Sequence, residues 1–368
     1  MENKKIIIAF LTLLALTLVI IKLPSNQKKE EIQEKKNESK EEIIIKEKRI
    51  SLVAVGDVLI HGAVYQDAYV GDNNYNFSSM FEEIEPLIKD YDLKYYNQET
   101  IIGGKNLGIS HYPRFNSPDE IALNLLDIGF NIVSLANNHS FDKGEEAISY
   151  SVNFWKSKDA ITSGQALSFE DRNNIKVYET NGIKYAFIAY TDGLNGFVLP
   201  SGKEYLINVY SNEQAKKDIE SIKDKVDVII VSMHWGEEYT HTPTQTQRNE
   251  AEYLSSLGVN LIIGSHPHVI EPVEYVGDTL VIYSLGNFIS AQHPLGLNKI
   301  IGLMVGMDIV VNEDKVTFEN IDYKLLYTYC TNNYTNFKVI PFENLNDNIL
   351  YNYKEIEKDY MNIVTGGE

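Results

Sequence analysis

The longest unbroken apolar stretch runs from Ile6 to Ile21, after Met-Glu-Asn-Lys-Lys and before Lys22-Leu23-Pro24. It falls slightly short of the ~20 residues with which a helix spans a bilayer, but the stem of Lys22 can lie along the apolar face while its ammonium reaches the headgroups. The pattern predicts a single transmembrane signal anchor over 6–23. Lys4 and Lys5 hold residues 1–5 on the cytoplasmic side and leave the rest outside the cell membrane. The competing reading is a cleaved signal peptide, whose apolar region is typically ~7–15 residues and ends at small residues. Leu23-Pro24-Ser25-Asn26 lacks that pattern and no cysteine lies nearby to take a lipid, so the anchor is favoured. Residues 24–49 are dominated by Lys, Glu, Gln and Asn and form a charged flexible linker.

From Ile50 the pattern changes. Short β-branched and apolar runs at Ile50–Val55, Asp92–Tyr96, Asn131–Leu135, Ile175–Tyr178, Tyr185–Tyr190, Val226–Val231, Asn260–Ile263 and Thr279–Tyr283 read as buried strands. Between them Pro118–Ile128, Glu145–Lys156, Ser211–Lys223 and Thr244–Ser256 carry apolar residues at helical spacing, which predicts an α/β domain with helices covering sheets. Leu303–Val311 and Val316–Leu326 read as antiparallel additions. The folded domain is placed at 50–345, with a tyrosine-rich helix and tail over 346–368.

Composition adds three constraints. A hydrophobic content of 43% supports a sizeable packed core. The single cysteine, Cys330, forms no intramolecular disulfide, so an exported domain must rely on packing and metal. Residues 1–49 carry 11 basic and 8 acidic side chains, so the formal charge of −19 for the whole chain leaves −22 on residues 50–368. Such a surface repels nucleic acid and anionic lipid, and a polyanionic substrate could be met only where a cation sits.

Five strands run straight into metal-ligand or acid–base residue types, and strand ends are where α/β sites form. They lead into Gly56-Asp57-Val58-Leu59-Ile60-His61, Asn97-Gln98-Glu99, Asn137-Asn138-His139-Ser140-Phe141-Asp142, His234-Trp235-Gly236 and Gly264-Ser265-His266-Pro267-His268. Singly, an Asp after a strand is an ordinary cap or turn and a buried His an ordinary hydrogen-bonded core residue. Together they hold five of the eight histidines, and the mix of carboxylates, amide and imidazoles suits paired divalent ions.

The order Asp, Glu, Asn-His, His, His-x-His resembles the metallophosphatase superfamily. Gly56-Asp57, Asn97-x-Glu99, Tyr112-Pro113-x-Phe115-Asn116-Ser117-Pro118, Asn137-Asn138-His139-x-x-Asp142-x-Gly144, His234-Trp235-Gly236-x-Glu238-Tyr239, Gly264-x-His266-Pro267-His268 and Tyr283-Ser284-Leu285-Gly286-Asn287-Phe288 are similar to its CapA-type capsule biosynthesis branch, linked to poly-γ-glutamate. The resemblance covers roughly residues 50–330. It implies a metallophosphatase-like sandwich of two mixed β-sheets flanked by helices. It further implies two divalent ions (manganese, iron or zinc), with Glu99 bridging them. Asp57, His61 and His268 would serve one ion, and Asn138, His234 and His266 the other. His139 would be the general acid, its ring oriented by Asp142, while Asn97, Asn116, Asn137 and Asn287 would contact substrate or support the ligands.

The chain departs from the wider pattern at three places. Three residues separate Asp57 from His61 where the superfamily has Asp-x-His, so His61 is expected either to bind metal from a different loop geometry or to contact substrate instead. Glu99 stands for an aspartate, and Glu271 stands where the family often has glutamine and is expected to add negative charge near the site. His111, His241 and His293 read as surface or supporting groups. Two functions follow from the resemblance: a metal-dependent hydrolase of a phosphoester or related bond, and a non-catalytic accessory of polymer synthesis or export. A third is an amide hydrolase acting on the polymer. Membrane-bound polymer synthase components are the expected partners.

Overall fold

Continuous burial along the central strands shows how the sheets are assembled. The computed structural model describes residues 47–367 except His293 and Asp314. The expected anchor, most of the linker and His293 lie outside the described residues. Among those described, no helix is long and apolar enough to cross a membrane.

One sheet has the order β16 (Lys338–Pro341), β15 (Lys315–Tyr329), β14 (Ile301–Asn312), β1 (Lys48–Leu59), β4 (Leu93–Asn97), β5 (Ile132–Ser134) and β6 (Ile161–Ser163), with β13 (Asn287–Ser290) also paired to β1. The other runs β11 (Val273–Val276), β12 (Thr279–Ile282), β10 (Leu261–Ser265), β9 (Val228–His234), β8 (Ile183–Thr191) and β7 (Tyr178–Thr180). β2 (Tyr69–Gly71) and β3 (Asn74–Tyr75) form a separate ribbon. In the first sheet β16, β15, β14 and β1 pair antiparallel while β1, β4, β5 and β6 pair parallel; in the second the centre is parallel and the edge strands β11 and β7 are antiparallel. Both sheets are therefore mixed.

Alternate residues of the two sheets meet in one core: Leu52, Ala54 and Tyr95 from the first with Phe187, Ile230 and Ile263 from the second. The opposite faces are also covered. Val53, Tyr96 and Val133 pack on α1 (Asp119–Asp127) through Ile121 and Leu125. α2 (Gly144–Lys156) adds Trp155 to the same layer. Ile188, Val231 and Ile262 pack on α3 (Asn212–Ile222) and α4 (Gln245–Ser256) through Ile219 and Leu254. Strands buried on both faces read as continuous apolar runs, which is why the sequence pattern located them. α5 (Tyr353–Val364) buries Tyr360 and Val364 in the core shared by the sheets.

The run Ile175–Tyr178 is not a strand as expected. The strand β7 begins only at Tyr178, because Asn181 and Gly182, at φ 52° and 78°, make the two-residue turn that joins it to β8.

The parallel parts of the two sheets bring the ends of β1, β4 and β5 opposite those of β9 and β10. A hydrogen bond of 2.8 Å between Tyr95 Oη and Ser232 Oγ ties the sheets together just before the strands deliver Asn97 and His234.

Candidate metal centre

Asp57 is placed by a bulge. The pairing of β1 with β4 and with β13 shifts register around it, which re-aims its side chain. Gly56 is needed there, since a Cβ at this position would lie 1.8 Å from the Gly286 carbonyl oxygen that accepts the Asp57 N–H. Gly264 is confined in the same way, its Cβ position 1.9 Å from the Tyr283 oxygen. The glycines ahead of Asp57 and His266 thus let neighbouring strands close on the site.

Asp57 is fully buried and accepts from Asn97 Nδ2 at 2.9 Å and from the His266 N–H at 3.3 Å, with His268 Nδ1 3.2 Å away. Glu99, two residues beyond β4, is also fully buried. Its Oε1 lies 3.5 Å from His268 Nε2 and 3.8 Å from His234 Nε2, yet neither of its oxygens accepts a hydrogen bond. His234, the last residue of β9, has Nε2 3.2 Å from Asn138 Oδ1 and Nδ1 3.0 Å from Ser265 Oγ. Asn138 Nδ2 in turn lies 3.4 Å from His266 Nδ1. His266 and His268 flank Pro267 at φ 99° and 59°, a left-handed backbone that bulky residues rarely adopt and that turns both rings towards the carboxylates.

Ligand-type atoms converge in three overlapping groups: Asp57, Glu99 and His268; Glu99, His234 and His266; and Glu238, His266 and His268. Within each group they lie within 4.8 Å of one another. Burial holds the His266 imidazole down to about 4 and His234 well below the usual histidine range, so both rings are neutral at pH 7 and each carries one nitrogen lone pair. Burial, reinforced by Asp57, raises the Glu99 carboxyl well above the usual range. A buried carboxylate without a donor, facing neutral imidazoles, costs several kcal/mol unless a cation completes it. The residues fit divalent metal.

Beside these groups His139 Nδ1 lies 2.8 Å from Asp142 Oδ2, which also accepts the Phe115 N–H at 2.7 Å. The Phe115 ring packs edge-on against His139 at 4.6 Å. Asn195, from the loop after β8, places its Nδ2 3.3 and 3.5 Å from the two ring nitrogens. Asn195 and Glu238 were not singled out from the sequence. Glu238 sits inside a quoted motif, whereas Asn195 had no signal beyond following a strand.

His61 stands apart from the three groups. Its Nδ1 lies 3.1 Å from the Leu59 oxygen and 3.4 Å from Ser290 Oγ, and burial lowers the ring to about 3. The extra residues after Asp57 carry it past the strand to the start of the short helix Gly62–Asp67. Asn116 is committed to the backbone of Gly103, Gly104 and Gly108. Asn137 likewise braces the turn, donating to the Gln98 oxygen and accepting the His139 N–H. Asn287 donates to the Lys299 oxygen at 2.9 Å and reaches the His268 oxygen at 3.4 Å, which supports the His-Pro-His turn from behind.

Glu271 does not add the expected charge. It is fully buried, accepts from Gln247 Nε2 at 2.7 Å, and burial pushes its carboxyl up to about 8, so it is neutral at pH 7. Its folded pKa lies above the unfolded value, so the resulting cost is absent below pH 4.5 and grows as pH rises towards 8. Glu271→Gln is expected to stabilise the fold by on the order of 1–3 kcal/mol at pH 7 and by little at pH 4. Urea unfolding at the two pH values checks this, and an equal effect at both would contradict it.

The family described as bacterial capsule synthesis protein PGA_cap matches residues 51–292. The chain is 30% identical over 233 residues to the PGA biosynthesis protein CapA of Bacillus subtilis (strain 168), covering 58% of this chain and 57% of the relative. It is 26% identical over 258 residues to the capsule biosynthesis protein CapA of Bacillus anthracis, covering 66% and 60%. It thus spans less than two thirds of either relative. Among solved structures, the calcineurin-like phosphoesterase YfkN of Bacillus subtilis aligns at TM-score 0.45 and 14% identity, over 76% of this chain and 90% of that one. The NAD nucleotidase NadN of Haemophilus influenzae aligns at TM-score 0.43 and 11% identity, over 87% and 57%. With the family match spanning well over half its length, the chain belongs to the bacterial capsule synthesis protein PGA_cap family.

Proposed function

We propose that this chain is a dinuclear metal-dependent hydrolase of capsule polymer assembly, acting on a phosphoester or related bond outside the cell membrane. The observation that carries the reading is Glu99, whose two buried oxygens lack hydrogen-bond donors while facing His234 and His268. Asp57, Glu99 and His268 would hold one divalent ion, and Glu99, Asn138, His234 and His266 the other. Bound there, such ions supply Lewis-acid charge for a phosphoryl oxygen and lower the pKa of a water.

The chain's own groups do the rest. Asp142 fixes the His139 ring through Nδ1, leaving Nε2 to deliver a proton to the departing oxygen. Phe115 excludes water from one side of that ring, and the Asn195 amide meets it from another. The two CapA relatives, one named for PGA biosynthesis and one for capsule biosynthesis, supply the biological setting.

The test is metal analysis of the purified full chain together with assays on a panel of phosphoesters and poly-γ-glutamate. Metal-dependent turnover of a phosphoester is expected. Turnover of the polymer alone would indicate an amide hydrolase, and tight metal binding with no turnover would favour an accessory role. Residues 6–23 would anchor the enzyme beside membrane polymer synthase components. Protein recovered from cells should retain its Met-Glu-Asn-Lys-Lys terminus, and a form starting between Pro24 and Gln33 would remove the anchor from the account.

A further inference from the structure

The two halves of the centre are unequally furnished. One half collects four side chains, Glu99, Asn138, His234 and His266, whereas the other has only Asp57, Glu99 and His268 of those expected from the sequence. The position two residues after Asp57, where the superfamily pattern has its first histidine, is Leu59, buried in the core at the end of β1. His61 Nδ1 is held by the Leu59 oxygen and the Ala291 N–H, and His61 falls in none of the three groups of converging ligand-type atoms.

We infer that Glu238 supplies the missing ligand, completing with Asp57, Glu99 and His268 the coordination of the first ion. The inference rests on the dinuclear reading and refines its ligand set. A carboxylate oxygen of Glu238 and ring nitrogens of His266 and His268 lie within 4.8 Å of one another. Ligands sharing one ion through bonds of about 2.1 Å lie at most roughly 4.2 Å apart, so a small side-chain movement suffices.

The loop that carries Glu238 is held against the turn that carries His268. The Tyr239 N–H donates to the Pro267 oxygen at 2.8 Å, and the Tyr239 ring lies 6.2 Å from His268. Tyr239 adopts φ 67°, a left-handed backbone that an aromatic residue rarely takes, whereas Gly236 reaches φ 90° without strain. From the far side Gln292 Nε2 donates to Tyr239 Oη at 3.0 Å, and the Lys299 ammonium sits 5.2 Å from the ring centre. Among the described residues no lysine or arginine forms an ion pair with Glu238, whose carboxylate is met by the Tyr239 hydroxyl and lies in the field of Lys299. Glu238 is also exposed where Asp57, Glu99 and His268 are buried, so the first ion faces solvent and is the exchangeable one. With three carboxylates and one imidazole its oxygen-rich set suits manganese more than zinc.

The test is calorimetric titration of the metal-stripped full chain with manganese. The unaltered chain should take up two equivalents. Glu238→Ala should keep one and weaken the other by roughly tenfold or more. Glu237→Ala should match the unaltered chain. Glu238→His, which restores a ligand of the superfamily type, should recover the second equivalent and bind zinc better relative to manganese, a rescue that a structural role would not produce. Two equivalents of unchanged affinity in Glu238→Ala overturn the inference and leave the dinuclear reading standing. Equal weakening of both equivalents, or failure of Glu238→His to recover binding, also overturns it. An unaltered chain that binds no manganese overturns both.

Discussion

In metal-free protein Glu99→Gln is expected to raise the unfolding midpoint at pH 7, and under saturating manganese the same substitution should lower it. Without metal, Glu99 is a buried carboxyl with no donor on either oxygen, and burial pushes its folded pKa above the unfolded value. A group shifted in that direction costs nothing at low pH, and its penalty grows as pH rises from about 4.5 through the folded pKa. Glutamine abolishes the penalty, so the metal-free gain should shrink as pH falls to 4. With metal the sign reverses, because a ligand that binds only the native state stabilises it by about 2.7 kcal/mol at a hundredfold excess over Kd, and the variant forfeits most of that. Differential scanning calorimetry with and without chelator checks both signs. A substitution that lowers the midpoint equally in both conditions would mean Glu99 holds the fold by some contact other than metal.

His139→Ala should separate chemistry from binding. In the proposed ligand set Asn138 carries the oxygen, and His139 belongs to none of the three groups of converging ligand-type atoms, so metal content should stay close to that of the unaltered chain. Turnover of the responsive phosphoester should fall by roughly 10²–10⁴-fold, the usual worth of general-acid assistance. Asp142→Asn should act in the same direction but more mildly. It loosens the hold on His139 Nδ1 and changes the acceptor of the Phe115 N–H. Asp57→Ala and His266→Ala should instead lose metal and activity together. A His139→Ala protein of undiminished rate would remove His139 from the chemistry.

The strands were legible because most are buried on both faces, and the site was legible because it sits where five of them end. Asp57, Glu99, Asn138, His234, His266 and His268 converge as their motifs suggest. Orientation was less legible. His61 has the right type and neighbourhood, but its place at the start of a helix, with Nδ1 held by the Leu59 oxygen, is a local path that spacing alone does not reveal. Asn116, Asn137 and Asn287, expected to contact substrate or support neighbouring groups, bond to backbone, because close-packed turns need side-chain partners as much as a site does. Glu238 and Asn195 come from loops whose paths depend on tertiary contacts, such as the bond between Tyr239 and Pro267, that have no periodic signature. Glu271 reads as a charge in sequence and is neutral in place, since burial decides its protonation.

The surface charge makes the same point at larger scale. Residues 50–368 carry −22, so an anionic polymer or phosphoester would be attracted only where cations offset it. An enzyme that depends on its metals to admit substrate and a scaffold that merely retains them differ most clearly in the cell. The most direct measurement is therefore capsule or surface-polymer production by cells whose only copy carries His139→Ala, at matched protein level and matched metal content. The account predicts that production falls to a small fraction of that of the unaltered chain, and full production would contradict it.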